Sequence, residues 1–370
     1  MPDYRLEKMP PQVWAYYHPF YGTPKGPAKR WLTWNEPLRL GNGYGANEIK
    51  TSKQVANALK HDPERFLGPG RRDNYSAFFP ALGLYDSLDP KVLEQHGRWA
   101  VKANLDGLIW DYMLVGEDNA DKNRMLREST YDKSLRIMLN IIKEKRLPLS
   151  LSILYDTYCW YGFTRRRICD ELNYLSKSYS GNPFMWHIDG RLVVFLYSCF
   201  AKHTVEDWQA ICSTLEKTGI RRNLFLVAGE VWVWKPDFNV PGLFDGFGAY
   251  NQGVNFLDAA GMKDLANTLK NLAELNGAKF YTGAAQAGFD GRAWHHPGRV
   301  VARRNGELYE TLWKATIECK PPVVAICSFN EWGEGTQIEP AQEYGMQYIE
   351  ITAKWAKEYR KTMRKKAKKL

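Results

Sequence analysis

The sequence has 370 residues, of which 44% are hydrophobic and 25% are charged. These fractions are ordinary for a globular protein, and they exclude a disordered or fibrous chain. No stretch approaches about 18 consecutive apolar residues, so we expect no transmembrane helix.

The net charge of +10 is concentrated at the C-terminal end. Residues 354–370 contain nine Lys or Arg and one Glu, which leaves only about +2 for the rest of the chain. Such a tail suits a solvated helix end, because cations are favoured near the C-terminus of a helix. We therefore expect no nucleic-acid partner, and binding of nucleic acid through the tail stays open only as an alternative.

The cysteines and the N-terminal segment bear on location. The six cysteines form no CxxC pair, and several fall in apolar, strand-like runs. This usage favours a reduced, intracellular protein. Residues 1–14 contain no apolar signal segment, so a cytoplasmic location is expected, with an extracellular one open if a leader was removed.

Short apolar segments alternate with longer amphipathic ones along the chain. Predicted strands lie at 13–17, 77–82, 107–112, 149–155, 192–197, 224–228, 244–250, 279–284 and 323–329. Predicted helices lie at 91–103, 131–145, 165–178, 204–217, 257–275, 307–318 and 346–366. The alternation predicts an α/β fold, a single (β/α)8 barrel of the TIM type. Since that barrel needs eight strands, we expect either 77–82 or 244–250 to be an extra element or a loop.

Residues 22–75 contain many Gly and Pro residues and fit no long element. They predict a long loop insertion after the first strand, and such insertions are usually functional. The predicted organisation is a catalytic barrel over 1–345, followed by a C-terminal helix with a basic tail over 346–370.

Polar and aromatic residues gather where the predicted strands end, which is where barrels of this type place their active sites. Aromatic rings beside carboxylates suit a carbohydrate, which has apolar C–H faces and a rim of hydroxyls. The candidate binding residues at strand ends are Tyr16, Tyr17, His18, Trp110, Asp111, Asp156, Tyr197, Tyr250, Asn251 and Asn330.

The segment 328–340 follows the strongest predicted strand and contains two glutamates, Glu331 and Glu334, on a glycine-rich turn. Cleavage of a glycosidic bond needs one carboxylic acid and one carboxylate, and proximity and burial would push their pKa values apart. Glutamates that merely cap the next helix are the alternative. The preceding strand, the glycines and the neighbouring Trp332 favour the catalytic interpretation.

The same segment, SFNEWGEGTQIEPA, resembles the signature NEWxEGTQIEP of glycoside hydrolase family 99, the endo-acting α-mannosidases. Four further segments resemble landmarks of that family in the same order. They are 16–22, Trp34-Asn35, 79–87 and 244–250. The resemblance spans residues 13–341 and adds Trp34 and Trp332 to the candidate binding residues.

This resemblance implies a retaining endo-hydrolase that cleaves internal α-mannosidic linkages in an oligo- or polysaccharide and uses no cofactor or metal. Glu331 would be the base that activates the sugar 2-hydroxyl, which displaces the leaving group and gives a 1,2-anhydro sugar. Glu334 would protonate the leaving oxygen.

Three departures from the family pattern leave the substrate open. Gly333 replaces a histidine, Asp156 stands near the position of a binding glutamate, and Tyr197-Ser198 stands where the family has a tyrosine-aspartate pair. Another α-glycan with a free 2-hydroxyl therefore remains possible. The alternative function is a non-hydrolytic or transferase-like glycan-binding component of polysaccharide biosynthesis, built on the same barrel. The oligomeric state is left open.

Overall fold

The computed structural model describes residues 4–40, 53–112, 122–157, 164–250 and 257–367. Within these ranges, eight parallel strands form a barrel whose residues are almost all buried. The strands are β1 Gln12–Tyr17, β2 Gly107–Tyr112, β3 Ser150–Asp156, β4 Arg191–Tyr197, β5 Leu224–Gly229, β6 Gly246–Gly248, β7 Phe280–Gln286 and β8 Val323–Cys327. Their apolar, β-branched sequences suit strands that are covered on both faces.

The barrel closes on itself. β1 pairs with β8 on one side, where Gln12 lies opposite Val323, and with β2 on the other. The order continues as β3-β2-β1-β8-β7-β6-β5-β4, and Ile153 opposite Val194 joins β3 to β4. Since all eight strands are parallel, their C-terminal ends meet at one rim.

Helices surround the barrel. They are α1 Lys53–Ala58, α2 Pro90–Lys102, α3 Lys122–Lys145, α4 Arg165–Tyr179, α5 Val205–Lys217, α6 Val231–Trp234, α7 Ala259–Leu275, α8 Glu307–Cys319 and α9 Gln347–Ala367. Thr204 and Asp207 form a capping box that fixes the start of α5. The last helix, α9, is anchored to the barrel because Tyr359 donates a 2.7 Å hydrogen bond to the Pro321 carbonyl and Arg360 pairs with Asp106 at 2.6 Å.

Two apolar layers follow from the alternation of side chains along each strand. On β1, Trp14 and Tyr16 point into the barrel, whereas Val13 and Tyr17 point outward to the helices. The interior is filled by side chains, with Trp14 stacked on Trp186 at 4.1 Å between ring centroids. Above these rings, at the C-terminal ends of the strands, the described residues leave an open cavity.

The insertion after β1 covers the rim beside β8. It includes the antiparallel pair Phe66–Gly68 and Arg71–Arg72, and its strand Arg39–Leu40 pairs with His295–His296. Aromatic residues of the insertion pack on the loop after β8. This cluster consists of Tyr21, Trp34, Tyr75, Tyr85, Trp332 and Ala341.

The predicted α/β class, the single (β/α)8 barrel and its insertion are confirmed. Residues 77–82 form a loop with an isolated bridge at Pro80, whereas 244–250 contains the short strand β6. α3 begins nine residues before the predicted start, and α1 and α6 were not predicted. In the described part of the chain, no helix combines the length and apolarity needed to cross a membrane. The division at residue 345 stays a prediction.

Candidate active site

A cavity of about 150 Å³ opens at the C-terminal rim of the barrel. Residues from the ends of β1, β2, β3, β4, β6 and β8 line it, which explains why positions far apart in sequence meet there. Its lining consists of His18, Phe20, Asp111, Leu154, Asp156, Tyr197, Tyr250, Glu331 and Glu334. Four carboxyl groups, one imidazole and three aromatic rings thus surround a space the size of a small ligand group.

The loop after β8 folds back on itself and brings both glutamates to the cavity. The Ser328 hydroxyl accepts a 2.7 Å hydrogen bond from the Glu331 amide and contacts the Thr336 hydroxyl at 2.8 Å. Gly335, at φ +61°, takes a left-handed conformation that favours glycine. The residues Glu331 and Glu334 are only 6% and 8% exposed, so both carboxyl groups are largely removed from water.

Glu331 is held by donors on one oxygen. Its Oε1 accepts hydrogen bonds from the Gly333 amide at 3.2 Å and from the Tyr75 hydroxyl at 3.3 Å. Burial raises the pKa of Glu331, and Asp111 adds to this, while His18 and the two donors act in the opposite direction. The result is a carboxyl group with a pKa above its ordinary value, which suits proton exchange with a bound hydroxyl better than an exposed glutamate would.

His18 lies between two carboxylates. Its Nδ1 is 3.4 Å from Glu331 Oε2 and 3.5 Å from Asp111 Oδ2, and its Nε2 is 3.0 Å from the Tyr250 hydroxyl. Burial alone would lower the pKa of His18, but Glu331 and Asp111 outweigh it and raise that pKa. The imidazole therefore keeps its proton to a higher pH than an exposed histidine does.

Asn330 fixes the backbone of His18. Its Oδ1 accepts from the His18 amide at 2.7 Å, and its Nδ2 donates to the His18 carbonyl at 2.9 Å. The loop after β8 thereby sets the position of the residue that follows β1. This paired contact also keeps His18 next to Glu331, the neighbour of Asn330 in sequence.

A second layer of hydrogen bonds lies behind the loop. Glu339 Oε2 accepts from the Tyr85 hydroxyl at 2.9 Å and from Trp332 Nε1 at 3.0 Å, while its Oε1 lies 3.1 Å from His96 Nε2. Tyr17 completes the layer through its hydroxyl, which is 2.8 Å from His96 Nδ1. Because Glu339 and His96 are fully buried, this network orders the loop from the side away from the cavity.

The structure brings seven of the sequence-predicted site residues to the cavity wall: Glu331, Glu334, His18, Asp111, Asp156, Tyr197 and Tyr250. It places six others elsewhere. Tyr16 lies below the cavity, Trp34 packs on Tyr21, Asn330 and Trp332 stand in the layer behind the loop, and Tyr17 stacks on Trp110 at 4.1 Å between barrel and helices. Asn251 lies outside the described residues.

The expectation that Tyr17 and Trp110 face the substrate is corrected by strand alternation. His18 points inward with Tyr16, so Tyr17 between them must point outward, and Asp111 likewise points inward where Trp110 does not. The direction of each side chain follows from the strand register, which the sequence alone left undetermined.

Sequence reasoning missed four residues near the cavity. Phe20 and Leu154 line it, and Tyr75 bonds to Glu331 from the insertion. Glu230, directly after β5, binds the backbone at the ends of two neighbouring strands. The position of Glu230 at a strand end could have identified it from the sequence, whereas nothing in the sequence marks Tyr75 as a site residue.

Comparison with known proteins agrees with this arrangement. Residues 9–361 match the sequence pattern of the family described as "Glycosyl hydrolase family 99". A glycoprotein endo-alpha-1,2-mannosidase of Rattus norvegicus is 24% identical over 97% of this chain and 78% of its own length. A glycoprotein endo-alpha-1,2-mannosidase-like protein of Homo sapiens is 23% identical, covering 93% and 75%. The solved GH99 endo-alpha-mannosidase of Bacteroides thetaiotaomicron has a TM-score of 0.70 at 20% identity, over 95% and 98% of the two chains, which supports the fold.

A closed barrel with paired carboxyl groups at its rim is the framework of a glycoside hydrolase, and the family match establishes this class. The chain belongs to glycosyl hydrolase family 99. The predicted resemblance is thereby confirmed. Among the residues that the structure describes, no group of three or more His, Cys, Asp or Glu side chains could hold a metal ion.

Proposed function

We propose that this chain is a retaining endo-α-mannosidase that cleaves internal α-mannosidic linkages with the help of the substrate's own 2-hydroxyl. The observation that carries the proposal is the arrangement of Glu331 and Glu334, which reach one small cavity from the same loop. The names of the relatives support the mannoside and the endo mode of action.

In the first step Glu331 removes the proton from the 2-hydroxyl of the reacting sugar. The 2-oxygen then bonds to the anomeric carbon while the glycosidic C–O bond breaks, and Glu334 gives its proton to the leaving oxygen. The product is a 1,2-anhydro sugar. An internal hydroxyl held opposite the leaving group has a high effective molarity, so no enzyme nucleophile is needed.

In the second step water opens the three-membered ring with the two roles exchanged. Glu334, now ionised, takes a proton from the water, and Glu331 returns its proton to the 2-oxygen. Two inversions at the anomeric carbon give net retention.

The contacts of Glu331 favour the base role for this residue. An amide N–H can only donate, so Oε1 beside Gly333 is held as an acceptor and Oε2 is the oxygen that exchanges protons. Protonated His18, 3.4 Å from Oε2, stabilises the ionised form before the proton is taken up. Asp111 and Asp156 offer acceptors for the remaining sugar hydroxyls.

Defined α-1,2- and α-1,3-linked manno-oligosaccharides, with product anomers followed by NMR, test the proposal. We expect an α-anomer to appear first, from an internal bond. A 2-deoxy analogue of the reacting sugar should not be cleaved. An initially inverted product, or cleavage of the 2-deoxy analogue at the normal rate, would contradict the mechanism. Binding without cleavage of any α-mannoside would favour the alternative, a non-hydrolytic glycan-binding component.

Variants separate the roles of the two glutamates. Glu334→Gln should lose activity on natural linkages but regain it on a substrate whose leaving group needs no proton, such as a dinitrophenyl glycoside. Glu331→Gln should be inactive on both, because the 2-hydroxyl still needs a base. Glu358→Gln, on the exposed face of α9, is the matched control and should behave like the unaltered enzyme.

A further inference from the structure

Glu230 joins three neighbouring strands at the rim of the cavity. It directly follows β5, and its side chain is buried. Its Oε1 accepts a 2.5 Å hydrogen bond from the Tyr250 amide, and its Oε2 accepts a 2.9 Å hydrogen bond from the Ser198 amide. Ser198 follows β4 and Tyr250 lies after β6, the two strands that flank β5. One carboxylate therefore fixes the ends of both neighbours.

The backbone around Glu230 is unusual. Glu230 at φ 52° and Ser198 at φ 46° both occupy the left-handed region, which residues with a Cβ avoid. Non-glycine residues hold such conformations only when their surroundings enforce them, and they concentrate at functional sites. At Ser198 the strained turn aims the amide at the Glu230 carboxylate.

The residue that Glu230 holds is in contact with the catalytic groups. The Tyr250 hydroxyl lies 3.0 Å from His18 Nε2, and His18 Nδ1 lies 3.4 Å from Glu331 Oε2. The Tyr250 ring also meets Tyr197 edge to face, with ring centroids 5.6 Å apart. A chain of direct contacts thus runs from Glu230 through the Tyr250 backbone and ring to the imidazole beside Glu331.

We propose that Glu230 is a positioning residue of this active site, whose ionised carboxylate holds Tyr250 against His18 and so sets the imidazole beside Glu331. The inference rests on the proposed function for the identity of the reaction. Glu230 does not line the cavity, so it acts through Tyr250 and not by touching substrate.

The ionised form is needed because both oxygens must accept. A glutamine presents one oxygen and one NH2 group, so one of the two backbone amides would face another donor. Burial raises the pKa of Glu230 to about 7, and Asp156 adds to this, while the amides of Tyr250 and Ser198 counteract it. Tyr16, Tyr197 and Cys199 also face this carboxylate. Protonation near neutral pH would therefore weaken the same contacts that Glu230→Gln removes.

The test compares Glu230→Gln, Tyr250→Phe and the double variant, with Glu216→Gln on the exposed face of α5 as control. Each single variant should lower kcat about tenfold at pH 8 with little change in KM. As the pH is lowered, the activity of Glu230→Gln should fall less steeply than that of the wild type. If Glu230 acts through Tyr250, the double variant should be no slower than the slower single one. The proposal would be overturned if the fold-loss of kcat in the double variant equalled the product of the two single losses, or if Glu230→Gln kept the wild-type kcat.

A second measurement needs no substrate. NMR titration of the His18 imidazole should show the same displaced pKa in Glu230→Gln as in Tyr250→Phe, whereas an unchanged titration in Glu230→Gln would refute the proposal. If the wild-type chain cleaves no α-mannoside, the proposed reaction fails while this titration still decides the role of Glu230. Should Glu230→Gln not fold, Glu230→Asp, which keeps the charge but shortens the reach, carries the same measurements.

Discussion

Replacing Gly333 by alanine should disturb Glu331, the proposed base, through the neighbouring ring of Tyr75. A Cβ at Gly333 would overlap Cε2 of Tyr75 and lie 3.0 Å from its Cδ2 and Cζ. Tyr75 cannot move freely, because it is buried between Trp34 and Trp294 and its hydroxyl contacts that of Tyr21 at 2.9 Å. The ring must therefore shift at the expense of its hydrogen bond to Glu331.

Two costs follow from this shift. Forcing an extra methyl group into a packed core costs about 1–3 kcal/mol of stability. Losing a hydrogen bond to a charged group costs about 1.5–3 kcal/mol. If the reaction depends fully on that bond, kcat/KM should fall about 10- to 150-fold, since about 1.4 kcal/mol corresponds to a factor of ten.

Steady-state kinetics on an α-manno-oligosaccharide and thermal melting measure the two costs separately. Gly181→Ala is the matched control, because nothing lies within 4 Å of its added Cβ. Tyr75→Phe should reproduce the kinetic loss without the steric cost, and adding Gly333→Ala to it should lower kcat/KM little further. Wild-type kinetics and melting in Gly333→Ala would refute the argument.

Three further predictions concern other buried groups. Glu339→Gln should destabilise the fold by about 1–3 kcal/mol in urea unfolding, because an NH2 group would replace one of the two buried oxygens that face Tyr85, Trp332 and His96. Arg303→Lys should lower kcat several-fold with little change in charge, since a lysine cannot donate to the carbonyls of both Gly335 and Gln337 while stacked on Tyr348. Glu230 binds a proton in the folded state between its ordinary pKa of 4.5 and about 7, where the unfolded chain has released it. Stability should therefore decrease as pH rises through this window, and melting curves of Glu230→Gln should show a weaker decrease.

The barrel could be predicted because its signal is periodic and repeated. Eight apolar segments alternate with amphipathic ones, and each strand falls within a few residues of its predicted place. The differences occur where the signal is short or interrupted. The unpredicted helix α6 has four residues, and β6 keeps only three residues of the predicted 244–250, two of which are glycines. The segment 77–82 is apolar because it packs on the loop after β8, a burial pattern that imitates a strand.

The site could be predicted in part for a related reason. Residues at the C-terminal end of a strand, or just after it, reach the rim of the barrel, so approximate strand positions were enough to predict His18, Asp156 and Tyr250. Which of two adjacent residues points inward depends on the register of the strand, which the sequence does not show. Tyr17 was therefore predicted at the site although it points outward to the helices. Long-range pairs such as Tyr75 and Glu331, separated by 256 positions, need the folded insertion.

The glycine at 333 and the tyrosine at 75 are two parts of one feature. The signature that residues 328–340 resemble is expected to have a histidine where this chain has Gly333, and nothing in the sequence alone explains this difference. In the fold, the Tyr75 ring occupies the space that any side chain at 333 would need, and its hydroxyl supplies Glu331 with a donor. Gly333 thus leaves the space that the Tyr75 ring needs, and through this ring the insertion supplies a hydrogen-bond donor to Glu331. We therefore expect family members with a side chain at the Gly333 position to lack or displace the ring at the Tyr75 position.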